Sequence, residues 1–305
     1  MVGIPKVYWK IVNNGDNTAN IYFSDKKVDS DFHCWSHIDN NGNEIDYCYI
    51  SIYDGSDIDS KLRSLSGKTP CNNQYTTTEI TYAKANNLTD DTIWYTEVFS
   101  DVMLIRLLLL LIGRSTNTQT VFGNGHYTGG NSASDFILSG SMDKKGLFYG
   151  TNGSQKGVKV FGIEHWWGNI WKRIGGWIGE NGTQKVKMTY GQSDGSTVDG
   201  YNLDGSGYVT IANSTPSGTS GGYISKMLIT ENGLFPVVIS GSSTTYYCDT
   251  LWFNNSGKYY ACVGGNCGGD AGFRVGSFES ALNPIKSKSW GVGTSLSCKP
   301  LAPTT

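Results

Sequence analysis

The sequence predicts a mixed α+β fold in which two early helices accompany many short strands. Helical spacing of apolar residues is clearest at residues 76–113, whereas short extended segments separated by Gly, Asn and Ser turns occupy most of the remaining chain. Glycine supplies 40 of the 305 residues, about twice the roughly 7% of an average protein. Because Gly tolerates backbone angles that other residues avoid, this composition favours a loop-rich fold.

The first 24 residues have the pattern of a strand pair. Residues 4–12 and 19–24 are rich in β-branched and aromatic side chains, and the Asn-Gly of the intervening NNGDNT favours the positive φ of a tight turn. Another strand is predicted at residues 47–53, where tyrosines alternate with Cys and Ile. We treat residues 1–30 as an N-terminal attachment segment and residues 31–305 as the main domain.

Two helices are predicted between these strands and the glycine-rich second half. The first covers residues 78–87. The second is expected to begin after Thr89, where Asp90 and Asp91 suit the positive end of the helix dipole, and to end at Gly113. Its apolar face widens towards its end, which predicts that this helix is the buried centre of the fold.

Charge and cysteine content exclude several classes of protein. A net charge of −2 with 16% charged residues gives no basic surface for nucleic acid or an anionic membrane. The longest apolar run, Leu107 to Ile112, is too short to span a bilayer, and the first residues lack a signal-peptide pattern. Seven cysteines leave at least one thiol free, which favours synthesis in a reducing cytoplasm with mostly reduced, structural thiols.

Several short motifs carry a resemblance to a known fold. Residues 168–171 read Gly-Asn-Ile-Trp, residues 264–267 read Gly-Gly-Asn-Cys, and residues 276–278 read Gly-Ser-Phe. The first motif resembles the Gly-Asn-x-Trp core of C-type-lectin-fold domains of the formylglycine-generating-enzyme type. The other two are similar to the terminal segment of phage and bacterial ligand-binding proteins of that fold, in which diversity-generating retroelements often vary this segment. Residues 31–35 and 61–74 also resemble phage structural proteins that carry this fold.

The resemblance spans residues 25–300 and implies a C-type-lectin-like α+β domain with a solvent-facing ligand surface within residues 250–298. It implies a protein made in the host cytoplasm and carried on the virion, whose partners are a bacterial surface protein or glycan and other virion proteins. By analogy with fibre-like appendages, a homotrimer is one arrangement we consider. One position departs from the family pattern, because Cys267 stands where an aromatic residue is usual.

The C-terminal segment also has the composition of a binding surface. Aromatic, Arg and Asn side chains lie among glycines there, as they do in antibody-like contact surfaces. Phe273 and Arg274 are the preferred anchors, because an exposed Phe is difficult to explain without a partner. The predicted contact residues are Tyr259, Tyr260, Asn266, Asp270, Phe273, Arg274 and Glu279. The alternative is a surface loop without a ligand.

Other candidate groups are interpreted as structural. Trp166, Trp167, Trp171 and Trp177 could stack on sugars. The spacing of the last three is typical of a helical or turn segment, and their burial in the core is favoured. His33, Cys34 and His37 would share a metal only on a helix, and this segment has an extended pattern, so no metal is predicted. His165 beside Glu164 is predicted to be a structural pair.

The expected activity is non-covalent binding without a cofactor, not catalysis. One alternative is a virion decoration or fibre component without receptor activity. The other is a copper-dependent or redox enzyme, because formylglycine-generating relatives require a pair of metal-binding cysteines and Cys262 and Cys267 lie in the corresponding segment. No phosphate-binding glycine loop followed by Lys-Ser or Lys-Thr occurs in the sequence.

Overall fold

The computed structural model describes residues 1–88, 91–153, 155–188, 205–218, 220–269, 276–282 and 288–301. Within these ranges strands predominate and three α-helices occur, which confirms the mixed α+β class. The helices are α1 Thr76–Lys84, α2 Phe99–Gly113 and α3 Thr118–Phe122. The strands are β1 Val2–Pro5, β2 Tyr8–Asn13, β3 Ala19–Ser24, β4 Tyr47–Ile50, β5 Ser56–Ile58, β6 Lys61–Arg63, β7 Thr92–Thr96, β8 Lys159–Val160, β9 Ile163–Glu164, β10 Trp171–Glu180, β11 Thr183–Val186, β12 Val209–Thr210, β13 Ser217–Gly218, β14 Gly221–Thr230, β15 Gly233–Ile239, β16 Thr250–Phe253, β17 Lys258–Val263, β18 Ser280–Leu282, β19 Val292–Gly293 and β20 Leu296–Pro300.

A four-stranded antiparallel sheet joins the two ends of the described chain in the order β1-β4-β20-β7. Along β4, Cys48 and Ile50 are buried whereas Tyr47 is exposed, so the predicted alternation is confirmed. The predicted N-terminal hairpin is formed by β2 and β3. Its Trp9 and Ile11 are buried in the same apolar core as α2, so the first 30 residues share the core of the chain that follows.

The predicted start of the second helix is wrong. Residues Thr92–Thr96 form strand β7, and the helix begins at Phe99. The strand sequence Thr-Ile-Trp-Tyr-Thr is composed of β-branched and aromatic residues, which fit a pleated sheet. Its partner β20 lies at the far end of the chain, in the register Leu296↔Thr96, so a long-range pairing overrides the local helical spacing.

The larger sheet has ten strands, nine of them in the order β12-β11-β10-β17-β18-β16-β14-β15-β13, and β19 also pairs with β10. Most neighbours are antiparallel, while β10–β19, β13–β15 and β16–β18 are parallel. Strand β10 is interrupted by a bulge between Ile174 and Ile178, where Gly176 has a φ of +73°. The bulge brings Gly175 next to Val98, just before α2, and so connects this sheet to the helix.

Aromatic rings pack the core between α2 and this sheet. Phe99 stacks on Phe235 at 5.7 Å between ring centroids and meets Trp177 edge-on at 5.3 Å. Trp167 and Trp177 are fully buried, which confirms the core interpretation of both, whereas Trp171 is half-buried. Trp171 and Trp177 lie on strand β10 rather than on the helical or turn segment that their spacing suggested. Among the described residues, no helix has the length and apolar content needed to cross a membrane.

Candidate functional site

The loop at residues 264–269 leaves strand β17 through a turn that requires glycine. Gly264 and Gly265 have φ angles of +88° and +69°, a backbone region that L-residues with side chains adopt at a cost. A Cβ on Gly264 would also lie 3.3 Å from the carbonyl oxygen of Trp166. The Gly-Gly pair therefore sets the direction of the loop and allows its close approach to the segment before β10.

Three backbone hydrogen bonds fix this loop to two other segments. The Gly168 N–H donates to the Gly264 carbonyl at 2.6 Å, and the Cys267 N–H donates to the Asn169 carbonyl at 3.1 Å. The Gly130 N–H in turn donates to the Cys267 carbonyl at 2.9 Å. We call these three bonds the clamp. The clamp brings together the two motifs at residues 168–171 and 264–267, which are far apart in the sequence.

The side chain of Asn169 ties the clamp to the interior. Asn169 is fully buried with a φ of +69°, a conformation that Asn tolerates better than most residues. Its Nδ2 group donates to Asp54 Oδ2 and to the Ile137 carbonyl, each at 3.1 Å, and its Oδ1 accepts from the Ile137 N–H at 2.9 Å. One amide thus bonds the buried Asp54 carboxylate and both backbone groups of the half-buried Ile137, which holds the turn in place.

The chain is fixed again at residues 276–282, by buried polar groups beneath it. A Cβ on Gly276 would come within 2.5 Å of Asp249 Oδ1, so only glycine fits there. The Ser277 N–H donates to Thr118 Oγ1 at 2.9 Å, and the Phe278 N–H donates to Asp249 Oδ2 at 2.8 Å. Hydrogen bonds to other segments therefore hold both the loop before residue 270 and the segment after residue 275.

Arg106 of α2 is the positively charged member of the buried polar groups that hold residues 276–282. Its side chain is buried, and Nε donates to the Ser277 carbonyl at 2.6 Å. The guanidinium lies 5.5 Å from the Trp177 ring and 5.4 Å from the Phe278 ring, within the range of cation–π attraction. Burial lowers the pKa of Arg106 to about 10, which leaves the group charged at neutral pH.

Two buried carboxyl groups accompany this cation. Burial raises the pKa of Asp249 to about 7, although Gln119 and the Phe278 N–H donate to it. Burial and the neighbouring Asp249 raise the pKa of Glu279, which accepts hydrogen bonds from the N–H and hydroxyl of Thr250. This network was not predicted from the sequence. Its only sequence signal is an arginine inside an otherwise apolar helical run.

The predicted contact residues occupy different environments. Tyr260 is 1% exposed and packs on Ile80 and Ile178, and Glu279 is 2% exposed in the buried network, so both side chains belong to the interior. Tyr259 is 8% exposed, and its hydroxyl donates to the Ser256 carbonyl.

Asn266 is the most accessible of the described members of the predicted set. It is half-buried at the loop, where its Nδ2 donates to the Gly291 carbonyl at 3.3 Å and its Oδ1 accepts from the Gly268 N–H at 3.2 Å. The other three predicted contact residues, Asp270, Phe273 and Arg274, lie outside the described residues.

The cysteines of the enzymatic alternative are buried in two separate apolar clusters. Cys262 packs with Ala281 and Val292, whereas Cys267 packs with Phe136 and Ile170. Burial raises the pKa of Cys262 to about 12 and that of Cys267 to about 11. Both groups are therefore protonated thiols at neutral pH, which makes them weak metal ligands and weak nucleophiles.

We expect the folded protein to resist thiol reagents, because all seven cysteines are buried thiols outside disulfide bonds. Ellman's reagent at pH 8 should modify essentially no cysteine in the native state and all seven after unfolding in guanidinium. Iodoacetamide labelling followed by mass spectrometry assigns any site that does react. Rapid native modification of Cys262 or Cys267 would contradict this prediction and favour the redox alternative.

The histidines have structural surroundings. The predicted His165–Glu164 pair is wrong, because Glu164 accepts from the N–H groups of Gly140 and Met142 while neither ring nitrogen of His165 has a described hydrogen-bond partner. Burial lowers the pKa of His165 to about 3, so the ring is neutral. His33 stacks on a tryptophan ring. Over the described ranges, no group of three or more His, Cys, Asp or Glu side chains is arranged to hold a metal ion.

No protein-family model matches this sequence, and no curated protein matches it significantly. The clamp, its buried support and the accessible side chains around them are therefore the basis of the functional proposal.

Proposed function

We propose that this chain is a virion-associated binding protein of C-type-lectin-like, formylglycine-generating-enzyme-type fold that recognises a bacterial surface protein or glycan non-covalently. The clamp between residues 168–169 and the 264–269 loop is the observation that carries the proposal. A loop held on a rigid base loses less conformational entropy when it binds, so more of the contact energy remains as affinity.

The proposed contact surface is centred on the chain between the 264–269 loop and residue 276. Asn266 lies in that loop, and Asp270, Phe273 and Arg274 follow it in the sequence. Burial of the Phe273 ring and hydrogen bonds from the Arg274 guanidinium would supply most of the affinity. Many copies on one particle would add avidity without new contacts. This activity needs neither a cofactor nor a catalytic group.

A structural role in the virion is the second candidate, and one group of exposed residues favours it. Leu111 and Ile112 at the end of α2 are 52% and 51% exposed, and Leu147 is 66% exposed. Phe148 stacks on Phe122 at the surface, at 5.7 Å between centroids. Exposed apolar side chains of this size are typical of protein contacts, which another virion protein would supply.

We expect the double variant Phe273→Ala/Arg274→Ala to lose at least about tenfold in affinity for bacterial cells, because it removes both anchors. The measurement is binding of fluorescently labelled protein to a panel of bacterial strains, with circular dichroism as the check on folding. Lys27→Ala/Val28→Ala is the matched control, since it too removes one cation and one apolar side chain, and Lys27 and Val28 are both exposed.

Strain-specific binding that only the first variant loses would support the proposed surface. Equal loss in both variants would remove residues 273 and 274 from the contact. If no strain binds the wild-type protein at high valency, the structural role replaces receptor recognition.

A further inference from the structure

A separate pocket of about 460 Å³ lies between the β2–β3 turn, strand β14 and the loop that follows β15. It shares no lining residue with the clamp or with the 264–269 loop. Its volume is within the range that encloses a small ligand. The residues that matter for its chemistry are Asp16, Lys226, Met227, Tyr246 and Tyr247.

Tyr246 presents an aromatic ring that the described fold does not use. Its side chain is 70% exposed, and its φ is +42°, in the left-handed region that Gly and Asn occupy at lower cost than Tyr. The backbone around it is fixed, because Thr116 Oγ1 donates to the Tyr246 carbonyl at 2.6 Å and the Cys248 N–H donates to the Thr245 carbonyl at 2.9 Å. Strained backbone positions cluster at ligand sites, and hydrogen bonds hold this one in place.

The pocket offers an acceptor and a donor beside this ring. Asp16 accepts from the N–H and hydroxyl of Thr18 through Oδ1, while Oδ2 has no hydrogen-bond partner among the described residues. Lys226 is exposed on β14, and within the described part of the chain its ammonium makes neither a hydrogen bond nor an ion pair. A ligand that enters the pocket would therefore find one free carboxylate oxygen and one free ammonium group.

Apolar side chains complete the pocket. Met227 is buried, and the half-buried Tyr247 ring packs edge-on against Phe278 at 5.1 Å between centroids. Because Phe278 also contacts Arg106, these groups are anchored to the protein core. The exposed ring of Tyr246 thus lies beside a firm surface and not at the end of a free loop.

We propose that this pocket binds a saccharide, with a pyranose ring stacked on Tyr246 and neighbouring hydroxyls bonded to Asp16 and Lys226. Sugar hydroxyls both donate and accept hydrogen bonds, and the C–H face of a pyranose packs on an aromatic ring. A purely apolar ligand would leave Asp16 and Lys226 unpaired. A simple ion would leave Tyr246 unused. The pocket would give the chain a glycan site that is distinct from the proposed contact surface at residues 264–275.

The test is binding of the purified full chain to an array of bacterial O-antigen, capsular and peptidoglycan-derived oligosaccharides. Tyr246→Gly removes the ring and relieves the positive φ, so it should fold at least as well as the wild type and lose roughly tenfold or more in saccharide affinity. Tyr246→Phe keeps the ring and should remain within about threefold of the wild type. Tyr47→Ala, at an exposed tyrosine of β4, is the control and should bind normally.

Absence of any wild-type signal on the array, or unchanged binding by Tyr246→Gly, overturns the saccharide site. The variant Phe273→Ala/Arg274→Ala separates the two proposals. If it keeps array binding while Tyr246→Gly loses it, the saccharide lies in the Tyr246 pocket, whatever the cell-binding result. If it loses array binding while Tyr246→Gly keeps it, the saccharide belongs to the C-terminal surface and the pocket assignment fails.

Discussion

Replacing Arg106 by Met should lower the free energy of unfolding by about 3–5 kcal/mol at pH 7. The substitution removes the cation that faces Asp249 and Glu279, and it leaves the Ser277 carbonyl without its donor at 2.6 Å. Met fills a similar volume, so the loss reports charge and hydrogen bonding more than a cavity. Urea unfolding followed by tryptophan fluorescence measures it.

The matched control is Arg114→Met at the exposed end of α2, which should change the free energy of unfolding by less than about 1 kcal/mol. The double variant Arg106→Met/Glu279→Gln should recover part of the loss, because it removes a carboxyl group that the missing cation no longer faces. An Arg106→Met protein as stable as the control would show that the buried cation contributes little.

The same variant should change how stability depends on pH. Burial raises the pKa of Asp249 to about 7, against roughly 4 in an unfolded chain. The folded state therefore holds a proton that the unfolded state releases, so this group makes stability fall as pH rises from about 4 to about 7. Without Arg106 the carboxyl pKa rises further, and the fall should continue above pH 7. Unfolding at pH 5, 6, 7 and 8 measures both slopes, and parallel slopes would contradict this account.

Asn169→Asp should lower the free energy of unfolding by at least about 3 kcal/mol. Asp accepts the positive φ as Asn does, so the backbone is not the cause. The change removes the donor to Asp54 and to the Ile137 carbonyl, and it places a second carboxylate next to Asp54 in the interior. Because Asn169 supplies one bond of the clamp, hydrogen exchange at the Cys267 amide should also accelerate.

Asn181→Asp is the matched control for this prediction. Asn181 has a φ of +49°, it is exposed, and its Oδ1 accepts from the Gly257 N–H at 2.9 Å, a role that an Asp oxygen preserves. We expect it to change stability by less than about 0.5 kcal/mol. Equal losses in the two variants would mean that the left-handed turn, and not the buried amide network, makes position 169 sensitive.

Local patterns were enough for the elements whose neighbours are close in the sequence. The β2–β3 hairpin follows from the Asn-Gly turn, and the buried and exposed faces of β4 follow from its period-two alternation. The helix predicted at residues 78–87 overlaps α1, which begins at Thr76 and ends at Lys84. Burial of Trp167 and Trp177 follows from the size of their apolar rings. In each case the deciding preference acts on residues that are close in the sequence. That preference is the dihedral angle of a turn, the alternation of a strand or the removal of an aromatic ring from water.

Tertiary structure decided the features that depend on distant partners. Residues Thr92–Thr96 are a strand because β20 pairs with them, although their own spacing also fits a helix. Tyr260 lies inside because Ile80 of α1 packs on it, and Glu279 lies inside near Arg106 of α2. Composition cannot indicate either contact.

The mixed α+β class, the hairpin and the apolar centre were thus determined by the sequence alone. The clamp, the buried Arg106 network and the Tyr246 pocket exist only after residues from separate segments meet. Long-range packing selects which polar groups are buried and which rings remain exposed, and no local preference contains that information.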